Sequence, residues 1–279
     1  MTVVRAPASS ANLGPGFDCA AVALDLWNEL EVTDGEGVIV EGEGAGELPA
    51  DGTNLAVRAF ALLADPAGKR FRCTNRIPLE RGLGSSAAAI ALGLAAAVRE
   101  GLSNTVLQGD LSALIARGLK LEGHADNLAA ALLGGVTLTD GRTAWRIAGS
   151  LPFAPVLVVP DRRVATSESR AALPATVDRA DAVFTSTRAA LLGAGLAAGD
   201  GALVAASLAD RLHEPYRASP ILDDVRERLP VGAVGATLSG SGPSVLVWAD
   251  DADAAAAELR ERFPDDRVLP LAVAGTGAL

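Results

Sequence analysis

Cysteine is nearly absent from this 279-residue chain, with Cys19 and Cys73 the only two. Two thiols cannot form the disulfide framework of a small secreted scaffold, so the expectation is a reduced, intracellular protein, placed in the cytoplasm. Aromatic residues make up 4% of the sequence, too few to supply stacking platforms for bases. Lysine is confined to Lys69 and Lys120, and the net charge is −10. Such a balance argues against a nucleic-acid partner, which needs cationic surface to displace counterions. Long apolar runs are missing too: Ala87–Val98 is too short to cross a bilayer comfortably and ends at Arg99. The opening MTVVRAPASS lacks the charged and apolar blocks of a secretory leader, so neither export nor a membrane role is expected.

What is present is a foldable chain. Hydrophobic residues reach 49% and charged residues 21%, enough for one large domain or two smaller ones. The first half opens with a strand candidate at Thr2–Ala6 and a Gly/Pro/Asn-rich loop at Ser9–Phe17. Val38–Glu41 sits among glycines and suggests a hairpin strand. Asn54–Ala64 has helical periodicity, and Phe71–Ile77 is a short strand candidate. A loop then feeds an apolar helix after Gly84, with Ser85 or Ser86 able to cap it. Leu111–Leu121 and Leu128–Leu133 are further helices, the latter stopped by Gly134–Gly135 before a strand at Val136–Thr139.

The second half reads strand Val156–Val159, helices Asp178–Leu192, Gly201–Leu212 and Ile221–Leu229, then strands Gly235–Leu238 and Val245–Ala249. Helix Ala252–Phe263 and strand Val268–Val273 close it. This order is a split βαβ, ferredoxin-like arrangement with an enlarged first crossover. The expected boundary lies near Gly149–Pro155, giving parts 1–150 and 151–279 of an α+β protein.

The densest chemistry is Gly82–Leu83–Gly84–Ser85–Ser86, directly before the apolar helix. Glycines allow successive N–H groups to converge on an anion, the helix start adds partial positive charge, and serine hydroxyls suit phosphate or Mg²⁺. A bare Gly-rich helix start with a serine cap explains the same letters about as well. No lysine follows, so this is not the GxxxxGK[ST] loop.

Three long segments, RAPASSANLGPGFDCAAVAL, PLERGLGSSAAA and GATLSGSGPSVLVWA, occur in the order of the three signature motifs of GHMP kinases, and the chain resembles that family over nearly its whole length. ANLGPGFD, LEGHADNLAAALLGG, VATSESRAALP and HEPYR resemble its homoserine-phosphorylating branch, with Ala125 standing where the branch commonly has proline. The resemblance implies a two-domain GHMP kinase fold, with an N-terminal part like ribosomal protein S5 domain 2 and a ferredoxin-like C-terminal part. It implies ATP and Mg²⁺ as cofactors and L-homoserine as the second substrate, with a homodimer admissible.

Residue by residue, the resemblance assigns nucleotide contacts to Asn54, Pro78, Arg81, Gly82, Leu83, Gly84, Ser85, Ser86 and Ala87, and the metal to Ser86 and Glu122. Asn12, Asp18, His124 and Asn127 match positions that grip the amino and hydroxyl ends of the acceptor. Arg170 and Arg217 match a pair that clamps its carboxylate, for which a planar guanidinium fork is suited. Asn127, Asp18 and His124 form the implied catalytic set, with Asp126 as a weaker candidate for a base. Thr166 and Ser167 can contact the acceptor or cap a helix, and Gly240–Pro243 is expected to turn against the phosphate loop. Two readings stand beside this one: a GHMP kinase for another hydroxylated acceptor such as mevalonate, and an inactive ligand-binding protein on the same fold.

Overall fold

The computed structural model describes residues 1–101 and 111–279. Its first sheet is built around one long strand. β1 (Thr2–Asn12) and β2 (Gly16–Asp34) form an antiparallel hairpin joined by Leu13–Pro15. The 19-residue β2 pairs over Glu29–Asp34 with β4 (Lys69–Asn75) and over Ala20–Val22 with β5 (Val136–Thr139). The glycine-rich segment expected to be a loop is therefore largely strand. Its register shifts at Pro7/Ala8 and Ala11/Asn12, where bulges absorb the irregular residues.

β3 (Val38–Gly42) pairs with β4 in parallel, so the expected hairpin there is replaced by a crossover through α1 (Leu55–Ala61). The far edge is β6 (Ala144–Ala148), a strand the sequence reading omits because its Trp145 and Arg146 face solvent and weaken the apolar signal.

α2 (Ser85–Arg99) lies under this sheet. Ten of its residues from Ala87 to Ala97 are buried, which explains its apolar character on every side. Gly93 is required by close approach, since a Cβ there would collide with the Ala56 carbonyl of α1. α3 (Leu111–Gly118) and α4 (Asp126–Leu133) complete the layer, and α4 ends at Gly134 (φ +70°).

The second sheet has the order β10-β7-β9-β8, all antiparallel, from β7 (Ala154–Val159), β8 (Ala233–Leu238), β9 (Val245–Ala249) and β10 (Arg267–Pro270). This is the ferredoxin-like order expected from the β, helices, β, β, α, β succession. Period-two alternation splits its faces. Val245 and Val247 pack with Val156, Val158 and the helices α8 (Pro220–Glu227) and α9 (Ala252–Arg262). Leu246 and Trp248 face α6 (Arg179–Ala198) and α7 (Gly201–Ser207), in a core continuous with that of the first sheet. The chain then returns: Ala274 N–H donates to Ala23 O, and Ala278 N–H to Ala131 O. Among the described residues no helix is long and apolar enough to cross a membrane.

Candidate active site

A cleft of about 370 Å³ opens where the β1–β2 hairpin, the start of α2, the start of α4, α5 (Thr166–Ala171) and the β8–β9 turn converge. Buried hydroxyls tie three of these together. Ser239 Oγ donates to Gly82 O (2.7 Å) and pairs with the Ser10 hydroxyl (2.9 Å), which must then be the donor. Gly240 N–H donates to Ala11 O, and Asn12 Nδ2 to Gly240 O. The turn expected against the phosphate loop is thus in contact with it.

The loop itself is set by backbone conformation. Gly82 (φ +75°) and Gly84 (φ +67°) are left-handed, and a Cβ on Gly84 would collide with Ser9 Oγ. Gly84, not Ser85 or Ser86, is the N-cap of α2, and glycine supplies no side chain to cap the helix start. A serine in helical conformation at the first or second position has left the cap geometry. The consequence is an uncapped N-terminus facing the cleft, with both serine hydroxyls lining it.

Pro78, Arg81, Gly82, Leu83, Gly84, Ser85 and Ser86 line this cleft together with Asn12, Asp18, Glu122, His124, Asn127, Arg170 and Arg217. Arg81 is tethered: Nε donates to Pro160 O (2.7 Å), Nη1 to Leu79 O (3.1 Å), and Nη2 to Asp161 O. Its guanidinium braces the loop against the end of β7, with three of its N–H groups engaged by backbone carbonyls. Ala87 is fully buried in α2 and does not line the cleft. Asn54 lies in a neighbouring, more apolar cavity of about 260 Å³, which shares Ser85 and Ser86 with the first. It caps α1 by accepting from Ala56 N–H (3.0 Å), while its Nδ2 donates to Pro49 O (2.8 Å).

The acidic groups differ in environment. Burial, with Asp126 nearby, pushes the Glu122 carboxyl up to about 7, and Glu122 Oε2 is buried with no hydrogen-bond partner. Asp126, fixed at the start of α4 by accepting from Asn127 N–H (2.7 Å), is pushed by burial to about 6. Among the described residues no group of three or more His, Cys, Asp or Glu side chains could hold a metal ion.

Asp18, at φ +56°, is held by its N–H donating to Asn12 Oδ1 (3.1 Å). Its carboxylate is paired with both terminal nitrogens of Arg170, the longer contact being 3.1 Å. Both ends of the Asn12 amide are therefore engaged in holding Asp18 and Gly240. Asn127 Oδ1 accepts from Ser9 Oγ (2.8 Å), which turns the Asn127 NH₂ group away from Ser9. Burial, then Arg170 and Arg217, lower the pKa of His124 against the opposing pull of Asp18, so its ring is neutral near pH 7.

The sequence matches the family model described as GHMP kinases N terminal domain over residues 54–135, and GHMP kinases C terminal over 192–265. A homoserine kinase of Gloeobacter violaceus is 46% identical over 262 residues, covering 87% of this chain and 86% of that protein. The chain belongs to the homoserine kinase family of GHMP kinases. The crystal structure of homoserine kinase from Cytophaga hutchinsonii superposes with a TM-score of 0.84 at 28% identity, covering 99% of this chain and 96% of that one. The Methanococcus jannaschii mevalonate kinase, at 17% identity and a TM-score of 0.70 over 98% of each chain, shares the fold alone.

Three residues of the site escape a reading of the sequence. Ser9 orients Asn127, Phe17 lies beneath both arginines, and His213 touches Arg217. Phe17 and His213 sit within ANLGPGFD and HEPYR, so position in a motif was the available signal.

Proposed function

We propose that the chain transfers the γ-phosphoryl group of ATP to the hydroxyl of L-homoserine, giving ADP and O-phospho-L-homoserine in threonine biosynthesis. The observation that carries this reading is one cleft holding both an uncapped, left-handed glycine loop and a set of opposite charges, Asp18 against Arg170 and Arg217. An α-amino acid presents both an ammonium and a carboxylate, and only such a zwitterion uses both signs. The relatives named as homoserine kinases support the same acceptor.

The more apolar cavity beside Asn54 takes the nucleobase, and the shared Ser85 and Ser86 mark where base and phosphates meet. Amides from Gly82 to Ser86 face the phosphates at the positive end of α2. Glu122 and Ser86 fit a magnesium ion, because Glu122 offers a buried oxygen without a partner and Ser86 a hydroxyl in the same cleft. One carboxylate and one hydroxyl suit a hard cation whose remaining ligands are phosphate oxygens and water. When bound, Mg²⁺ neutralises charge on the phosphate oxygens.

Arg170 and Arg217 hold the acceptor carboxylate and Asp18 its ammonium, with Asn12 fixing Asp18 in place. Asn127 Oδ1 sits beside Gly84 and accepts from Ser9, and we assign its NH₂ to an oxygen of the acceptor. Neutral His124 offers one donor and one acceptor for orientation. A loose phosphoryl-transfer transition state draws mainly on alignment and charge neutralisation, so no strong base is required, and Asp126 serves to fix α4. We place the enzyme in the cytoplasm, where its free thiols stay reduced. We also keep the division near residue 150, supported by the passage from the first sheet to the second between Ala148 and Ala154.

Phosphorus NMR of a mixture of protein, MgATP and L-homoserine tests the reading. The expected result is one new phosphomonoester signal growing in step with ADP. Growth of inorganic phosphate alone would show that the acceptor hydroxyl is not the target.

A further inference from the structure

The two arginines of the acceptor site are held in different ways. Arg170 is neutralised within the protein by Asp18. Arg217 is 8% exposed, and the groups that accept its hydrogen bonds are neutral: His213 Nδ1 (2.9 Å) and Gly240 O (3.3 Å), with its Nε left unpartnered. A buried cation without a carboxylate bound to it is costly: burial and Arg170 weigh against the charge, and Asp18, Asp210 and Glu214 favour it only through space, with no hydrogen bond to it. Its orientation therefore depends on whatever accepts from it.

His213 is fully buried, and its two nitrogens have fixed roles. Nε2 lies 2.8 Å from Gly14 O, which can only accept, and Nδ1 lies 2.9 Å from a guanidinium N–H, which can only donate. The ring must carry its proton on Nε2 and offer a lone pair at Nδ1, a single neutral tautomer. Burial lowers its pKa, with Arg217 adding to this and Asp210, Glu214 and the Gly14 carbonyl opposing. Asp210 fixes the turn from which the ring projects, accepting from the N–H groups of Leu212, His213 and Glu214. Phe17 stacks on His213 at 5.0 Å between centroids and lies 5.5 and 5.6 Å from the guanidinium carbons of Arg170 and Arg217.

We propose that His213 is a positioning residue for acceptor binding: bridging Gly14 of the β1–β2 hairpin to Arg217, it aims at the acceptor carboxylate a guanidinium that no carboxylate among the described residues bonds. The inference rests on the reading of Arg217 as a carboxylate ligand. It makes the two arginines unequal, with Arg217 the one that awaits an anion.

Steady-state kinetics on His213→Asn, His213→Gln, His213→Leu, Arg217→Leu and the His213→Leu/Arg217→Leu double variant test it. Asparagine places an oxygen near Nδ1 and keeps the acceptor for Arg217; glutamine reaches toward Gly14 O and keeps only that contact. His213→Leu should raise the KM for L-homoserine about tenfold, as expected for a lost charge-assisted contact, with kcat and the KM for ATP nearly unchanged. His213→Asn should recover most of the loss and His213→Gln little, while the double variant should be no worse than Arg217→Leu. If His213→Leu does not fold, the asparagine–glutamine contrast carries the test. A normal KM for L-homoserine in Arg217→Leu would overturn the carboxylate reading and this inference together. An impaired Arg217→Leu beside variants of His213 that bind L-homoserine normally, or that impair ATP and L-homoserine equally, would overturn this inference alone.

Discussion

Glu122 carries the sharpest demand of any single side chain in the cleft. A buried carboxylate oxygen without a partner costs free energy, and a cation arriving with the nucleotide removes that cost. Glu122→Ala and Ser86→Ala should therefore each lower turnover by about a hundredfold, similar to removing one preorganised electrostatic contact, while circular dichroism stays that of the parent. Near-normal turnover of Glu122→Ala at saturating Mg²⁺ would contradict the ligand role. At this scale the sequence shows which residues are chemically capable, but not whom they meet. Asp18, Arg170 and Arg217 are visible in their motifs, yet the Asp18–Arg170 pair and the bonds of Arg81 to Pro160 O and Asp161 O depend on elements about 80 to 150 residues apart. A buried histidine such as His213 looks, in the sequence alone, like any satisfied core residue.

Among the elements, the loop before α2 shows how local sequence can suggest the right place and the wrong detail. Two serines before an apolar helix look like caps, but left-handed Gly84 takes the cap position and leaves their hydroxyls for the cleft. Gly84→Val would need a β-branched side chain at φ +67° and would collide with Ser9, whose hydroxyl orients Asn127. We expect the variant to bind MgATP at least about tenfold more weakly by calorimetry, since the loop amides no longer converge. Unchanged affinity would contradict the phosphate-cradle reading. Short strands bounded by turn residues were legible in both sheets, Val136–Thr139 of the first and Val245–Ala249 of the second matching residue for residue. β2 was not, because its polar and glycine-rich start is strand only through pairing with β1 and β5.

Across the whole molecule, the order of elements and the three motifs were legible, whereas the joining of the halves was legible only in the turn at Gly240–Pro243. One continuous core runs from the first sheet to Trp248 and Leu246 of the second, and the last residues return to pair beside Ala23 and Ala131. Such contacts, far apart in the chain, leave no periodic trace. They also place the hairpin, the glycine loop and the β8–β9 turn against one another, so that phosphate cradle and acceptor charges share a cleft. The account's central claim is that this cleft phosphorylates an amino acid recognised by both charges. It is tested most directly by kcat/KM for L-homoserine, its methyl ester and mevalonate under saturating MgATP. The account predicts L-homoserine as the preferred acceptor, with the ester about ten- to hundredfold poorer for want of the carboxylate contacts, and mevalonate, which has no ammonium, poorer still. Equal or faster turnover of mevalonate, or an ester as good as the free acid, would contradict it.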